Sequence, residues 1–155
     1  MKPSHTHHDD PFPPAAGEPA DLCQRLRADL DLHADAAILH VYGEVDAYTQ
    51  PRWRRILDTA IAEAAATSGH LVVDAGPIQF IGCRPILDLA DRAQKSLACG
   101  VQVSVLNPSP GVVDRVITIA GLTVWLPVHS TLAEALSTRR QAATPAHVAV
   151  PVRGS

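Results

Sequence analysis

With 155 residues, 46% hydrophobic and 19% charged, the chain has the make-up of one ordinary globular domain with a sizeable core. A net charge of −3 without a long Lys/Arg run argues against nucleic acid as the main partner, and no apolar stretch approaches the roughly 20 residues that span a bilayer. Aromatics are only 4%, so the core has to be built from Ala, Val, Ile and Leu.

Residues 1–20, rich in Pro, His, Asp and Gly and without periodicity, read as a disordered tail. The first ten have no apolar run of a secretory signal, which leaves the cytoplasm as the expected location. His5, His7 and His8 with Asp9 and Asp10 would hold a metal only incidentally, since a tail without fixed geometry builds no site. One domain is expected over 21–137 and a second flexible tail over 138–155.

Leu26, Ala28, Leu30 and Leu32 alternate with Arg25, Arg27, Asp29, Asp31 and His33, which predicts a half-buried strand. Ala34-Asp35-Ala36 then turns the chain into a returning strand over 37–42. Gly43-Glu44-Val45-Asp46 reads as a turn leading into a helix. Thr49 or Gln50 would cap that helix, Pro51 suits its first turn, and Trp53, Ile56, Leu57, Ala60, Ile61 and Ala64 make its apolar stripe, with Gly69 to end it. Leu71, Val72 and Val73 are continuous, as in a central strand covered on both faces. A short loop follows. The next helix would bury Ile86, Leu89, Ala90, Ala93 and Leu97.

Val101, Val103 and Val105 predict a further strand. Ser109-Pro110 would open a helix burying Val113, Val116, Ile117 and Ala120, and 122–128 a last short strand. Thr131-Leu132-Ala133-Glu134 matches a capping box. An opening hairpin followed by alternating strands and helices predicts an α/β sandwich, a mixed sheet with helices mainly on one face.

The chemistry-bearing residues are sparse. Cys23, Cys83 and Cys99 are too few and too scattered for a disulfide framework and lack metal or redox spacing. Asp46 has no paired carboxylate or histidine. His33, His40 and His70 read as ordinary surface residues on strand edges, and Trp53 as core or partner contact. Arg52, Arg54 and Arg55 form a basic cluster, either a solvated face or a contact for an acidic partner. No phosphate loop, nucleophile elbow or metal-ligand triad appears, so neither an enzyme nor a cofactor is expected.

Taken in order, Gly43-Glu44-Val45-Asp46, the apolar strand ending at Asp74, Phe80-Ile81 before a helix, Asn107-Pro108-Ser109-Pro110 and Ala120-Gly121-Leu122 resemble the STAS domain of bacterial anti-sigma factor antagonists. The resemblance covers roughly residues 26–136. In that family the run before the helix is typically Asp-Ser-Ser/Thr-Gly, whose first serine is phosphorylated by a partner kinase. Here it is Gly82-Cys83-Arg84-Pro85, and no Ser or Thr lies between Gly69 and Lys95 to substitute.

The resemblance implies a protein that frees a sigma factor for transcription by docking a kinase-like anti-sigma factor, without release by serine phosphorylation at the usual site. The contact surface would be Gly43, Glu44, Asp46, Phe80, Gly82, Cys83, Arg84 and Pro85. A homodimer stays open. Two other readings stand beside it. Cys83, at a helix start beside Arg84, is a candidate redox switch, because that setting favours the thiolate. Alternatively, the chain is a STAS-like subunit of a larger signalling or lipid-transport assembly.

Overall fold

The computed structural model describes residues 10–137, apart from 110, 112, 114–116, 119, 123 and 124. A short helix α1 (Leu22–Arg25) runs directly into β1 (Leu26–Leu32), which pairs antiparallel with β2 (Ala37–Val45). Helix α2 (Gln50–Ala66) returns the chain to β3 (His70–Asp74), and β4 (Ile78–Ile81) precedes α3 (Cys83–Leu97). Next come β5 (Gln102–Leu106) and β6 (Val128–His129), after which residues 132–137 are helical.

The strands form one mixed sheet in the order β1-β2-β3-β5-β6, with β2, β3, β5 and β6 parallel and β4 beside the far end of β2. The α/β sandwich expected from the alternation is therefore present.

One face of the sheet carries the larger core. Leu26 and Ala28 from β1, Leu39 and Val41 from β2, Leu71 and Val73 from β3, and Val103 and Val105 from β5 pack against α2 and α3. From α2 come Trp53, Ile56, Leu57, Ala60 and Ala64, the predicted stripe except Ile61, which is only partly covered. Trp53 is fully buried, and its indole N–H donates to the Pro85 carbonyl at 3.0 Å, locking α2 to the start of α3. Gly69 closes α2 as expected, its amide donating to the Ala64 carbonyl at 2.7 Å from a backbone with φ 75°. A smaller cluster on the opposite face, Ala36, Ile38, Val72 and Ala135, is covered by the C-terminal helical turn. There Glu134 N–H donates to Thr131 Oγ1 and Ser130 N–H to Glu134 Oε1, a capping box displaced by one residue.

Several expectations need correction. Gly43-Glu44-Val45 is not a turn: it continues β2, because β4 offers a pairing partner that local sequence does not reveal. The stretch read as a loop before α3 holds β4 itself. Leu97 lies exposed and Ser96 is buried in its stead, because the helix phase turns Ser96 inward to donate to the Ala93 and Val101 carbonyls. Leu32 is exposed, since β1 runs past the cover of the helices. Of the next helix, Val113 and Ile117 are buried as expected and Ala120 is exposed; Pro110 and Val116 lie outside the described residues. The last strand is only Val128–His129, because the chain around Leu122, Trp125 and Leu126 closes a turn, with Leu126 N–H on the Leu122 carbonyl.

His33 is exposed as expected, but the other two histidines are not ordinary surface groups. His70 is fully buried, with Nε2 3.1 Å from Ser104 Oγ. His40 lies between two carboxylates, Nδ1 at 2.9 Å from Asp74 and Nε2 at 3.0 Å from Asp31. The packed unit also begins before residue 21: Phe12 is 4% exposed and belongs to the main core. His5, His7, His8, Asp9 and residues 138–155 lie outside the described residues.

Candidate partner-binding site

The residues singled out from sequence meet at one end of the sheet because β4 pairs in parallel with the end of β2. Val45 sits opposite Ile81, and the Gly82 amide donates to the Val45 carbonyl at 2.9 Å. The next residue on each chain is Asp46 on one side and Cys83 on the other. Between Gly43 and Glu44 the register slips, a bulge that turns the strand end. Gly43 there has φ 105°, and a Cβ would stand 2.1 Å from the Arg25 carbonyl oxygen, so only glycine fits.

Asp46 shapes the loop into α2. Its Oδ1 accepts the Thr49 amide at 3.0 Å, while Thr49 Oγ1 accepts the Asp46 amide at 3.0 Å and donates to the Glu44 carbonyl at 2.9 Å. Thr49, the residue preceding α2, is fully buried. The Thr49 backbone amide and hydroxyl, with the Arg25 guanidinium, hold the Asp46 carboxyl below its ordinary value. Arg25 Nη2 reaches Glu44 Oε1 at 2.9 Å and Asp46 Oδ2 at 3.4 Å. Asp46 is thus an ionised structural group, the turn and helix-entry role expected of it.

At the facing edge, α3 opens at Cys83 with Gly82 before it in extended backbone, φ −81° and ψ 169°. Glycine brings no side-chain cap, so the first N–H groups of α3 receive none from that position. Cys83 and Arg84 are exposed, and Phe80, at 55% exposure, stands free of the core. Beside Cys83 opens a cleft of about 430 Å³ lined by Ile78, Phe80, Ile81, Asn107, Ser109 and Val113.

Pro85 departs from expectation. It is buried, and its carbonyl receives the Trp53 indole, so it anchors α3 and offers no contact surface. Nor is the Arg52, Arg54 and Arg55 cluster a free basic face. Arg52 is buried, donating to the Leu26 carbonyl at 2.7 Å and the Phe12 carbonyl at 3.0 Å; Arg54 pairs with Asp88 and Arg55 with Glu18. Sequence reasoning missed Arg25 and Tyr48, whose ring lies 5.2 Å beneath the Arg25 guanidinium. Neither sits in a motif; only the meeting of β1 and β2 gives them a place. Among the described residues no group of three or more His, Cys, Asp or Glu is arranged to hold a metal.

An exposed aromatic, a thiol and a cation thus lie at the same end of the sheet as the hydrogen-bonded acidic loop. The chain belongs to the STAS domain family, whose model matches residues 27–135. It is 33% identical over 119 residues to a Mycobacterium tuberculosis protein bearing the name of an anti-anti-sigma factor, covering 77% of this chain and 79% of that one. It is 34% identical over 112 residues to the anti-sigma-F factor antagonist RsfA of the same species, covering 72% and 86%. An anti-sigma factor antagonist from Mycobacterium paratuberculosis superposes with a TM-score of 0.63 at 25% identity, over 74% of this chain and 94% of that one.

Proposed function

We propose that this chain is an anti-sigma factor antagonist: a cytoplasmic binding protein that docks a kinase-like anti-sigma factor and so frees a sigma factor for transcription. The observation that carries the reading is the convergence of Asp46 with Phe80, Cys83 and Arg84 at the end of β2 and β4, in a chain whose named relatives are antagonists of this kind. The contact face comprises Gly43, Glu44, Asp46, Phe80, Gly82, Cys83 and Arg84.

Release of the partner does not proceed by phosphorylation at the usual position. Phosphorylation acts by adding about −2 charge to a hydroxyl, and at the mouth of α3 the chain carries a thiol, with no Ser or Thr between Gly69 and Lys95. The protein therefore holds its partner under conditions that release a serine-bearing antagonist.

Pull-down of a purified anti-sigma factor tests this. Cys83→Glu and Arg84→Glu should each lower capture at least tenfold, whereas Gln102→Glu, on β5 away from the face, should not. Equal capture by all three variants would refute the contact face, and absence of capture by the parent chain would refute the function.

A further inference from the structure

Residues 10–25 precede the segment matched by the family model, yet they reach the candidate site through a chain of contacts on α2, the loop before it and the end of β2. Phe12 is buried against the core, and its carbonyl accepts Arg52 Nη1 at 3.0 Å; the same guanidinium holds Leu26, at the start of β1, through Nε at 2.7 Å. Arg52 is itself buried, so the segment seals a cation that would otherwise need water. Glu18, whose side chain is 3% exposed, pairs with Arg55 one position beyond Arg54 on α2. Asp21 accepts the Tyr48 hydroxyl at 2.8 Å. Finally Arg25 bridges Glu44 and Asp46 while lying over the Tyr48 ring.

We infer that residues 10–25 form an intramolecular clamp that positions the end of β2 and the Asp46–Thr49 loop, and add Arg25 to the partner-binding face. The first part stands on the contacts alone; the second rests on the proposed function. The physical logic is that the Asp46–Thr49 loop between β2 and α2, held locally by the Asp46–Thr49 exchange and by the Thr49 hydroxyl on the Glu44 carbonyl, is confined further by contacts from outside it. Anchoring it at Tyr48 and at both carboxylates confines the loop before a partner arrives, lowering the ordering cost of binding. The clamp also sets the charge of the face. Glu44 and Asp46 would otherwise present two bare carboxylates; with Arg25 between them the trio carries −1, and the Arg25 side chain, 41% exposed, is left within reach of a partner.

Residue-resolved hydrogen exchange on the full chain tests the clamp without a partner. Phe12→Ala and Arg25→Ala should each speed exchange of the Asp46 and Thr49 amides about tenfold, leaving the Val72 and Val105 amides of the central strands unchanged, and Phe12→Leu should restore protection. Unchanged loop amides, or acceleration spread equally over the whole sheet, would overturn the clamp.

Affinity for a purified anti-sigma factor tests the face. Arg25→Ala should weaken binding about tenfold and alter its salt dependence, and parent-like binding would overturn the role of Arg25. If the parent chain binds no anti-sigma factor, the proposed function and the assignment of Arg25 to its face fall together, while the exchange result still decides the clamp.

Discussion

The Gly82 amide and the Val45 carbonyl, 2.9 Å apart, join the mouth of α3 to the end of β2. This bond, with the parallel register of β2 and β4, brings the strand end that leads into Asp46 beside the one that leads into Cys83.

Gly43→Ala is expected to destabilise the protein by about 2 kcal/mol or more, since it combines a positive φ with a collision against the Arg25 carbonyl. Urea denaturation of the two proteins checks it. A variant as stable as the parent would mean that the chain can yield at Arg25, where α1 meets β1.

Gly82 is the opposite case. Its backbone is in the region an N-cap adopts, and a Cβ would meet nothing nearer than the Pro85 ring at 3.6 Å. Gly82→Asp should therefore cap α3, facing its exposed N–H groups, and raise stability by a few tenths to about 1 kcal/mol. A lower thermal midpoint would contradict the open geometry described at this position.

Trp53→Phe removes the indole N–H and leaves the buried Pro85 carbonyl without it, at a cost of about 1–3 kcal/mol. Because this bond ties α2 to α3, the loss should appear both in global stability and as faster amide exchange in the first turn of α3. Trp53→Ala, which also opens a cavity, should cost about 3–5 kcal/mol.

His40 makes stability depend on pH. Burial disfavours its charged form, but hydrogen bonds and charge from Asp74 and Asp31 outweigh that and raise its pKa above the ordinary 6.5. A histidine with a raised folded-state pKa contributes stability fully below its unfolded value and loses it as pH climbs through the folded one. The stability difference between the parent and His40→Gln should therefore be largest near pH 5.5 and shrink by about 1 kcal/mol or less by pH 8.5, measured by denaturant melts at each pH. A difference that grows with pH would reverse the sign argued for the Asp31–His40–Asp74 bridge.

Much of this protein was legible as a one-dimensional pattern. Alternation marked β1, the apolar run Leu71–Val73 marked a central strand, and the stripe from Trp53 to Ala64 gave the buried side of α2, because burial follows periods of 2 and 3.6 residues. The order of short motifs was enough for the family. What stayed hidden depended on partners distant along the chain. Strand β4 exists because β2 lies alongside it, and Glu44 and Val45 are strand for the same reason. The basic cluster on α2 looked solvated until Leu26, Phe12, Glu18 and Asp88 were seen to occupy it. Pro85, which its loop position suggests is at the surface, is a buried anchor for Trp53. The sequence by itself determined which residues are apolar, where helices can begin and that position 83 carries sulfur. Only the tertiary structure decided which charges find each other and which loop is held, since both depend on distances set by packing and not by spacing in the chain.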